Sequence, residues 1–161
     1  PLLPTETNIS VKSLIEPLIE RAKARANLQG RKWFSPSEWP KWMESRSISE
    51  GVIAEIVANL LENAFRYSPP QSSIGIELVE NGICIWDEGN PIKEEEREKI
   101  FDKGFRGESG SKMSGSGIGL ALARDLARQL GGDLKLIVNP SKFKNSLPES
   151  GNAFVFNLEP K

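Results

Sequence analysis

The sequence predicts an α+β fold, a two-layer sandwich in which a mostly antiparallel, mixed sheet of about five strands carries about three main helices on one face. Two observations predict this class. Helical and strand-like segments mix without the regular alternation that a parallel sheet requires. In addition, Asn81–Gly82 joins two runs rich in β-branched residues, which is the strongest short-range signal for an antiparallel hairpin.

Helices are predicted where apolar residues recur at helical spacing between start and stop signals. The predicted helices cover 11–30, 47–70, 93–101 and 118–132. Pro17 interrupts the first of these, so a late start or a kink is expected there. Ser47 and Glu50 stand at capping-box spacing and open the second.

Strands are predicted from short runs of β-branched and aromatic residues bounded by turn residues. The predicted strands are the hairpin at 73–88, then 133–138 and 152–160, with a short strand in the tryptophan-rich segment 31–42. The segment 102–117 is too rich in glycine and serine for a regular element, and we expect it to be mobile.

The amino-acid composition limits the kinds of catalysis and binding that are open to this chain. The 161 residues make one domain, 1–161, and its 21 basic and 22 acidic side chains give no charge footprint for nucleic acid or a membrane surface. Histidine is absent, which excludes histidine acid–base catalysis and nearly every zinc site. The single cysteine, Cys84, lies in an apolar run, so a buried thiol in a reducing, cytoplasmic setting is expected.

A polar stripe runs along the helix predicted at 47–70. Glu55, Asn59 and Asn63 are spaced four residues apart, with Arg66 three further on, and apolar residues flank them. A solvated face is the plain interpretation, but asparagine has poor helix propensity and no charge to offer such a face. An amide-lined site that could hold Mg²⁺ and phosphate is therefore the favoured hypothesis.

Glycine-rich segments supply two further candidates. "GSGIGL" places Gly115, Gly117 and Gly119 before a helix, but it fits neither the Walker A nor the dinucleotide-binding pattern. In "WDEGNPI", Asp87 follows a buried strand, where its carboxylate could accept a hydrogen bond from the amino group of an adenine. A simple Asp–Glu–Gly turn explains that stretch equally well when it is taken alone.

The order of these motifs resembles the ATP-binding catalytic domain of sensor histidine kinases, within the group that includes gyrase B, Hsp90 and MutL. "NLLENAFRYS" resembles the N box, "DEGNPI" the first glycine box, "IFDKGFRG" the F box and "GSGIGLALAR" the second glycine box. The resemblance covers most of the chain and implies a Bergerat-type fold that binds ATP and Mg²⁺. Pro91 stands where the first glycine box usually has glycine, and Leu130 where the family often has histidine.

The resemblance also implies roles for particular residues. Asn63 would bind Mg²⁺, Asp87 would bind the adenine amino group, and Phe101 and Phe105 would anchor a lid over ATP. The residues implied in phosphoryl transfer are Asn59, Arg66, Lys103 and Arg106. The residues implied in nucleotide binding are Asn59, Asn63, Arg66, Tyr67, Asp87, Gly89, Ile92, Phe101, Gly115, Gly117, Ile118, Gly119 and Leu120.

The implied activity is transfer of the γ-phosphoryl group to a histidine on a separate dimerisation domain, which passes it to a response regulator. Since this chain has no histidine, it cannot autophosphorylate alone, and the dimerisation and sensor regions are expected elsewhere. We expect the domain itself to be monomeric, without nucleic-acid or direct membrane contacts. An ATP hydrolase of the gyrase or Hsp90 kind is the alternative, although Asn59 stands where such enzymes have a water-activating glutamate. A second alternative is a nucleotide-binding docking module that does not turn over ATP.

Overall fold

The computed structural model describes residues 10–45, 50–103 and 119–158. Its helices are α1 (Val11–Leu28), α2 (Lys41–Ser45), α3 (Glu50–Tyr67) and α4 (Gly119–Gln129). Its strands are β1 (Trp33–Phe34), β2 (Ile74–Val79), β3 (Gly82–Asp87), β4 (Asp133–Val138) and β5 (Asn152–Asn157). Short 3₁₀ turns cover Glu94–Glu96, Lys99–Phe101 and Pro140–Lys142.

The strands form one mixed sheet in the order β1-β2-β3-β5-β4. β1 pairs with β2 in parallel, and the other three pairs are antiparallel. The hairpin turn is at Asn81, whose φ of 57° is in the left-handed region that asparagine tolerates. The predicted α+β class, with a mostly antiparallel sheet of five strands, is confirmed.

The main core lies between the sheet and the helices. Alternate residues of β3, Ile83 and Ile85, join the cluster that α1, α3 and α4 bury, together with Phe154 and Phe156 of β5. The period of two along these strands places the intervening residues on the opposite face. One face of the sheet therefore carries the long helices, as the sequence predicts.

A smaller apolar cluster covers the opposite face of the sheet. Cys84 and Trp86 of β3 pack there with Val155 of β5 and with Leu147 from the segment that joins β4 to β5. Burial raises the pKa of the Cys84 thiol to about 12. The prediction that this cysteine is buried is therefore confirmed.

Three elements differ from the sequence prediction. α1 begins at Val11, with the Ser10 side chain as its N-cap, and it continues through Pro17, which lies on the exposed side. The segment 93–101 forms two 3₁₀ turns instead of a helix, because Ile100 is the one buried residue within those turns and a helix there would have no apolar face to bury. β5 ends at Asn157, earlier than predicted.

The helix α2 was not predicted, because prolines and tryptophans dominate its surroundings. Its Trp42 and Met43 are buried against α1, and Trp42 Nε1 donates to Val79 O at 2.8 Å. Within the described ranges, no helix is long and apolar enough to cross a membrane. Several predicted features lie outside the described residues: Ser47, Phe105, Arg106, Gly115, Gly117, Ile118 and most of the expected mobile segment.

Candidate functional site

The candidate site lies along α3, between the end of β3 and the start of α4. Asp87 and Gly89 lie beside the carboxyl end of α3, and Gly119 lies beside its middle, at Asn59. Asn59 and Tyr67 are separated by roughly 12 Å along the helix, at 1.5 Å per residue. The fold thus brings together two groups of predicted site residues that are distant in sequence.

Asp87 is a buried carboxyl group at the last position of β3, with a side chain that is only 5% exposed. Its Oδ1 accepts a hydrogen bond of 2.7 Å from the main-chain amide of Gly89. Burial raises the pKa of Asp87 to about 7, against the opposing influence of this hydrogen bond and of the Arg31 charge. Among the described residues, Oδ2 of Asp87 has no hydrogen-bond partner, so it is available to a ligand.

Gly89 leaves space that a larger residue would fill. A Cβ at this position would lie 2.6 Å from Asp87 Oδ1 and 3.3 Å from Ser68 Cα. The main-chain oxygen of Tyr67 would be 3.5 Å away. The absence of a side chain therefore lets the turn close on Asp87 and on the end of α3.

The loop 88–92 is fastened to the sheet at several points. The Glu88 amide donates to Ser73 O at 3.0 Å, and the Glu88 side chain accepts from the Ser73 amide at 3.2 Å. At the far end, Asn152 of β5 bonds to both Asn90 and Ile92. The conformation beside Asp87 is thus fixed by main-chain and amide contacts.

Arg31 supports the same region from behind. Its guanidinium donates to Phe65 O at 3.2 Å and to Ser68 O at 3.4 Å, and so caps the carboxyl end of α3. It also bonds to the Ser68 hydroxyl at 2.7 Å and to Pro69 O at 3.0 Å. This cation holds the end of α3 in place and lowers the pKa of Asp87.

Asn59 has an unusual environment for a helical asparagine. Its Nδ2 is buried and has no acceptor among the described residues. A Cβ on Gly119, the first residue of α4, would lie 3.5 Å from Asn59 Oδ1. The carboxamide therefore faces the amino end of α4, where main-chain amides favour an anion. The Asn59 side chain is therefore half-buried, with its Nδ2 shielded from solvent.

The other predicted residues of α3 are half-buried. Asn63 lies one turn after Asn59 on the same stripe, and Tyr67 is the last residue of the helix. Arg66 pairs with Glu62 at 3.5 Å, and Glu62 also pairs with Arg25 of α1 at 3.0 Å. Such exposed ion pairs contribute little stability, so the Arg66 side chain can exchange its partner at small cost.

The remaining predicted residues come from the segment between β3 and the glycine-rich stretch and from the first turn of α4. The ring of Phe101 packs edge-on against Phe154 at 6.4 Å between centroids, and the Arg124 guanidinium lies 4.2 Å from its centre. Ile92 and Leu120 are partly buried against the main core. Lys103 is exposed. Phe101 thus ties the start of the glycine-rich segment to the sheet and α4.

Comparison with known proteins decides the family. Residues 49–161 match the family of histidine kinase-, DNA gyrase B- and HSP90-like ATPases. The chain belongs to this ATPase family. The resemblance stated from the four motifs is therefore confirmed.

Similar members of this ATPase family are sensor kinases. The chain is 38% identical over 128 residues to the sensor histidine kinase Hik2 of Thermosynechococcus vestitus, a match over 74% of this chain and 32% of that protein. It is 28% identical over 134 residues to the histidine-protein kinase/phosphatase MprB of Mycolicibacterium vanbaalenii, over 80% of this chain and 26% of that protein. The chain thus spans about a third or less of these relatives.

Solved structures of the family share the fold. A mycobacterial sensor histidine kinase MprB structure superposes with a TM-score of 0.71 at 24% identity, over 95% of this chain and 99% of that one. The catalytic domain of the histidine kinase ThkA, in a nucleotide-free form, gives 0.72 at 22% identity, over 94% and 95%. The fold described above is therefore shared with these histidine kinase structures.

Sequence reasoning missed two residues that shape the site, Arg31 and Asn152. Arg31 contacts residues 34 to 41 positions away, and Asn152 contacts residues 60 to 62 positions away. No local pattern marks either contact. A polar residue between Gly151 and the last apolar strand was the sole available signal for Asn152.

Proposed function

We propose that this domain binds Mg-ATP in the candidate site and delivers the γ-phosphoryl group to a histidine on a separate dimerisation domain. The observation that carries the proposal is Asp87, a buried carboxyl group with one oxygen bonded to Gly89 and the other available. The ionised carboxylate accepts hydrogen bonds only, so it selects a ligand that presents a donor. The exocyclic amine of adenine is such a donor, whereas guanine carries a carbonyl oxygen at the same place.

The opposite end of the site suits the phosphates. Asn59 Nδ2 is a buried donor without an acceptor among the described residues, and a phosphate oxygen would satisfy it. The amino end of α4, beside Asn59, favours negative charge. Arg66 and Lys103 are the cations expected to contact phosphate, together with Arg106 of the segment outside the described residues.

Magnesium fits the donor set of α3. Asn63 offers a neutral amide oxygen, which suits a hard cation that keeps water and phosphate oxygens as its other ligands. Held by Asn63, such an ion would supply neutralisation of the phosphate charge during phosphoryl transfer. The chain's own contribution is to bind and orient the nucleotide, since phosphoryl transfer depends mainly on positioning.

ATP hydrolysis is the less favoured activity. Asn59 cannot accept a proton at neutral pH, so it cannot activate water as a carboxylate would. Glu55, one turn earlier on α3, is exposed to solvent. The chain also has no histidine of its own, so the phosphoacceptor, and the response regulator after it, belong to other domains. We place this activity in the cytoplasm, where ATP is present and the buried Cys84 stays reduced.

Phosphotransfer in trans tests this proposal. The chain is incubated with γ-labelled ATP, Mg²⁺ and the histidine-bearing dimerisation domain of its parent kinase, and the label is followed on each protein. Acid-labile, base-stable label on the dimerisation domain, and none on this chain alone, is the expected result. Release of inorganic phosphate without labelled protein would show a hydrolase instead.

A further inference from the structure

One buried carboxamide holds the far end of the loop between β3 and the first 3₁₀ turn, around Pro91. Asn152 is 6% exposed and is the register partner of Asp87 on the neighbouring strand β5. Its Oδ1 accepts from the Ile92 amide at 2.9 Å, and its Nδ2 donates to Asn90 O at 2.8 Å. A single side chain therefore fastens the loop on both sides of Pro91.

We propose that Asn152 is a positioning residue that holds the loop 88–92 in the shape that receives an adenine ring beside Asp87. The inference rests on the proposed function. Asn152 acts through the loop and not by touching the ligand. Asn152 fixes the positions of Gly89 and Ile92 before the nucleotide binds. Binding therefore does not have to include the entropic cost of ordering the loop.

Asparagine is suited to this place because the two loop groups need opposite partners. Ile92 presents a donor and Asn90 an acceptor, and a carboxamide supplies both an acceptor and donors in one plane. Pro91 has no amide hydrogen and a fixed φ, so the main chain of the loop can donate no hydrogen bond at that residue. An apolar residue at 152 would leave the Ile92 amide and the Asn90 carbonyl without these partners.

The strand that carries Asn152 is paired with β3 and approaches Asp87 closely. Gly151 has a φ of 136°, and a Cβ there would lie 2.0 Å from the main-chain oxygen of Asp87. The two backbones are thus in direct contact at the site. Arg97 adds a hydrogen bond from its Nε to Ile92 O at 3.1 Å, but this side chain is exposed, so Asn152 supplies the buried contact at the Ile92 end of the loop.

The test compares nucleotide binding and local hydrogen exchange in the full chain. Asn152→Ala removes both contacts, and Asn152→Ser keeps a hydroxyl that can serve one of them. Asn157→Ala is the matched control, since it changes the same residue type at the other end of β5. Calorimetric titration with non-hydrolysable ATP and GTP analogues gives affinity and selectivity, and exchange of the Ile92 amide reports the loop.

We expect Asn152→Ala to bind the ATP analogue about tenfold more weakly, with a smaller preference over the GTP analogue and faster exchange at Ile92. Asn152→Ser should have an affinity, a selectivity and an Ile92 exchange rate between those of the alanine variant and wild type. If the alanine variant does not fold, the serine variant alone tests the inference. Wild-type affinity in the Asn152 variants would overturn the inference and leave the proposed function standing. An equal loss of affinity for both analogues that parallels a fall in the unfolding temperature would also overturn the inference, because it would show a general loss of stability. A wild-type chain that binds no nucleotide would overturn the proposed function itself, and this inference with it.

Discussion

The main-chain amide of Gly89 donates a 2.7 Å hydrogen bond to Oδ1 of Asp87, and a Cβ on Gly89 would lie 2.6 Å from the same oxygen. One oxygen of a buried carboxyl group is thus occupied by the turn that follows it, and the other is left for a ligand. The carboxyl group is costly to bury and is not needed to close the turn, because an amide oxygen would accept the same bond. These two facts point to a binding role for Asp87.

Asp87→Asn is expected to leave the domain folded and to weaken adenine nucleotide binding about a hundredfold. The new Oδ1 accepts the Gly89 bond, but Nδ2 presents a donor where the adenine amine also presents a donor. Calorimetric titration with an ATP analogue measures the change. Asp125→Asn, an exposed position on α4, is the control. Wild-type affinity in Asp87→Asn would contradict the adenine assignment.

The same substitution should alter the pH dependence of stability. The pKa of Asp87 is about 7 in the folded domain, above its ordinary value of 3.8, so the folded state holds this proton more tightly than the unfolded state. Its contribution to stability is therefore complete below about pH 4 and is lost as the pH rises through 7. Asp87→Asn does not ionise. In urea unfolding, the free energy of unfolding of Asp87→Asn relative to wild type should increase by a few kcal/mol between about pH 4 and pH 8. A constant difference would contradict this pKa.

Nucleotide affinity should also depend on the ionisation of Asp87, but it should increase with pH whereas stability decreases. The carboxylate is the form that accepts from an adenine amine, so wild-type affinity should fall about tenfold per unit as the pH decreases below 7. Titrations at several pH values between about 5 and 8 measure this, with the Asp87→Asn variant as the control for other titrating groups. Affinity that is unchanged over this range would show that the ligand does not require ionised Asp87.

Gly89→Ala should destabilise the domain by roughly 1–3 kcal/mol and weaken nucleotide binding. The added methyl group would lie 2.6 Å from Asp87 Oδ1 and 3.3 Å from Ser68 Cα, just after α3, so the turn must shift. Gly51→Ala is the matched control. Its Cβ meets nothing within 4 Å, and alanine should stabilise α3 there by roughly 0.5–1 kcal/mol. In denaturant unfolding, the free energy of unfolding should fall for Gly89→Ala and rise for Gly51→Ala. Equal changes in the two variants would contradict the close packing at Gly89.

Arg31→Met should cost roughly 2 kcal/mol of stability, because Phe65 O and Ser68 O lose their partly buried donor. It should also raise the pKa of Asp87, since Arg31 lowers it. The pH midpoint of nucleotide affinity should therefore move upward relative to wild type. Arg31→Lys keeps the charge but not the forked geometry, so it should lose stability with a smaller shift in this midpoint. An unchanged midpoint in Arg31→Met would exclude the electrostatic link.

Local sequence patterns predicted the helices, the hairpin and the last strands because periodicity and turn residues determine such elements. They failed at 93–101, where a charged run without an apolar face forms 3₁₀ turns, and at α2, where Trp42 and Met43 are fixed by packing. Asp87, Asn59 and the glycines could be found because they stand in ordered motifs. Arg31 and Asn152 could not, because their partners are distant in the sequence and only the folded chain brings them together.

Calorimetric titration of the whole chain with a non-hydrolysable ATP analogue tests the central claim most directly. It is performed with and without Mg²⁺ and with the corresponding GTP analogue. We predict saturable binding that is tighter with Mg²⁺ and selective for adenine. Absence of binding at millimolar nucleotide, or equal affinity for the GTP analogue, would contradict an adenine site at Asp87.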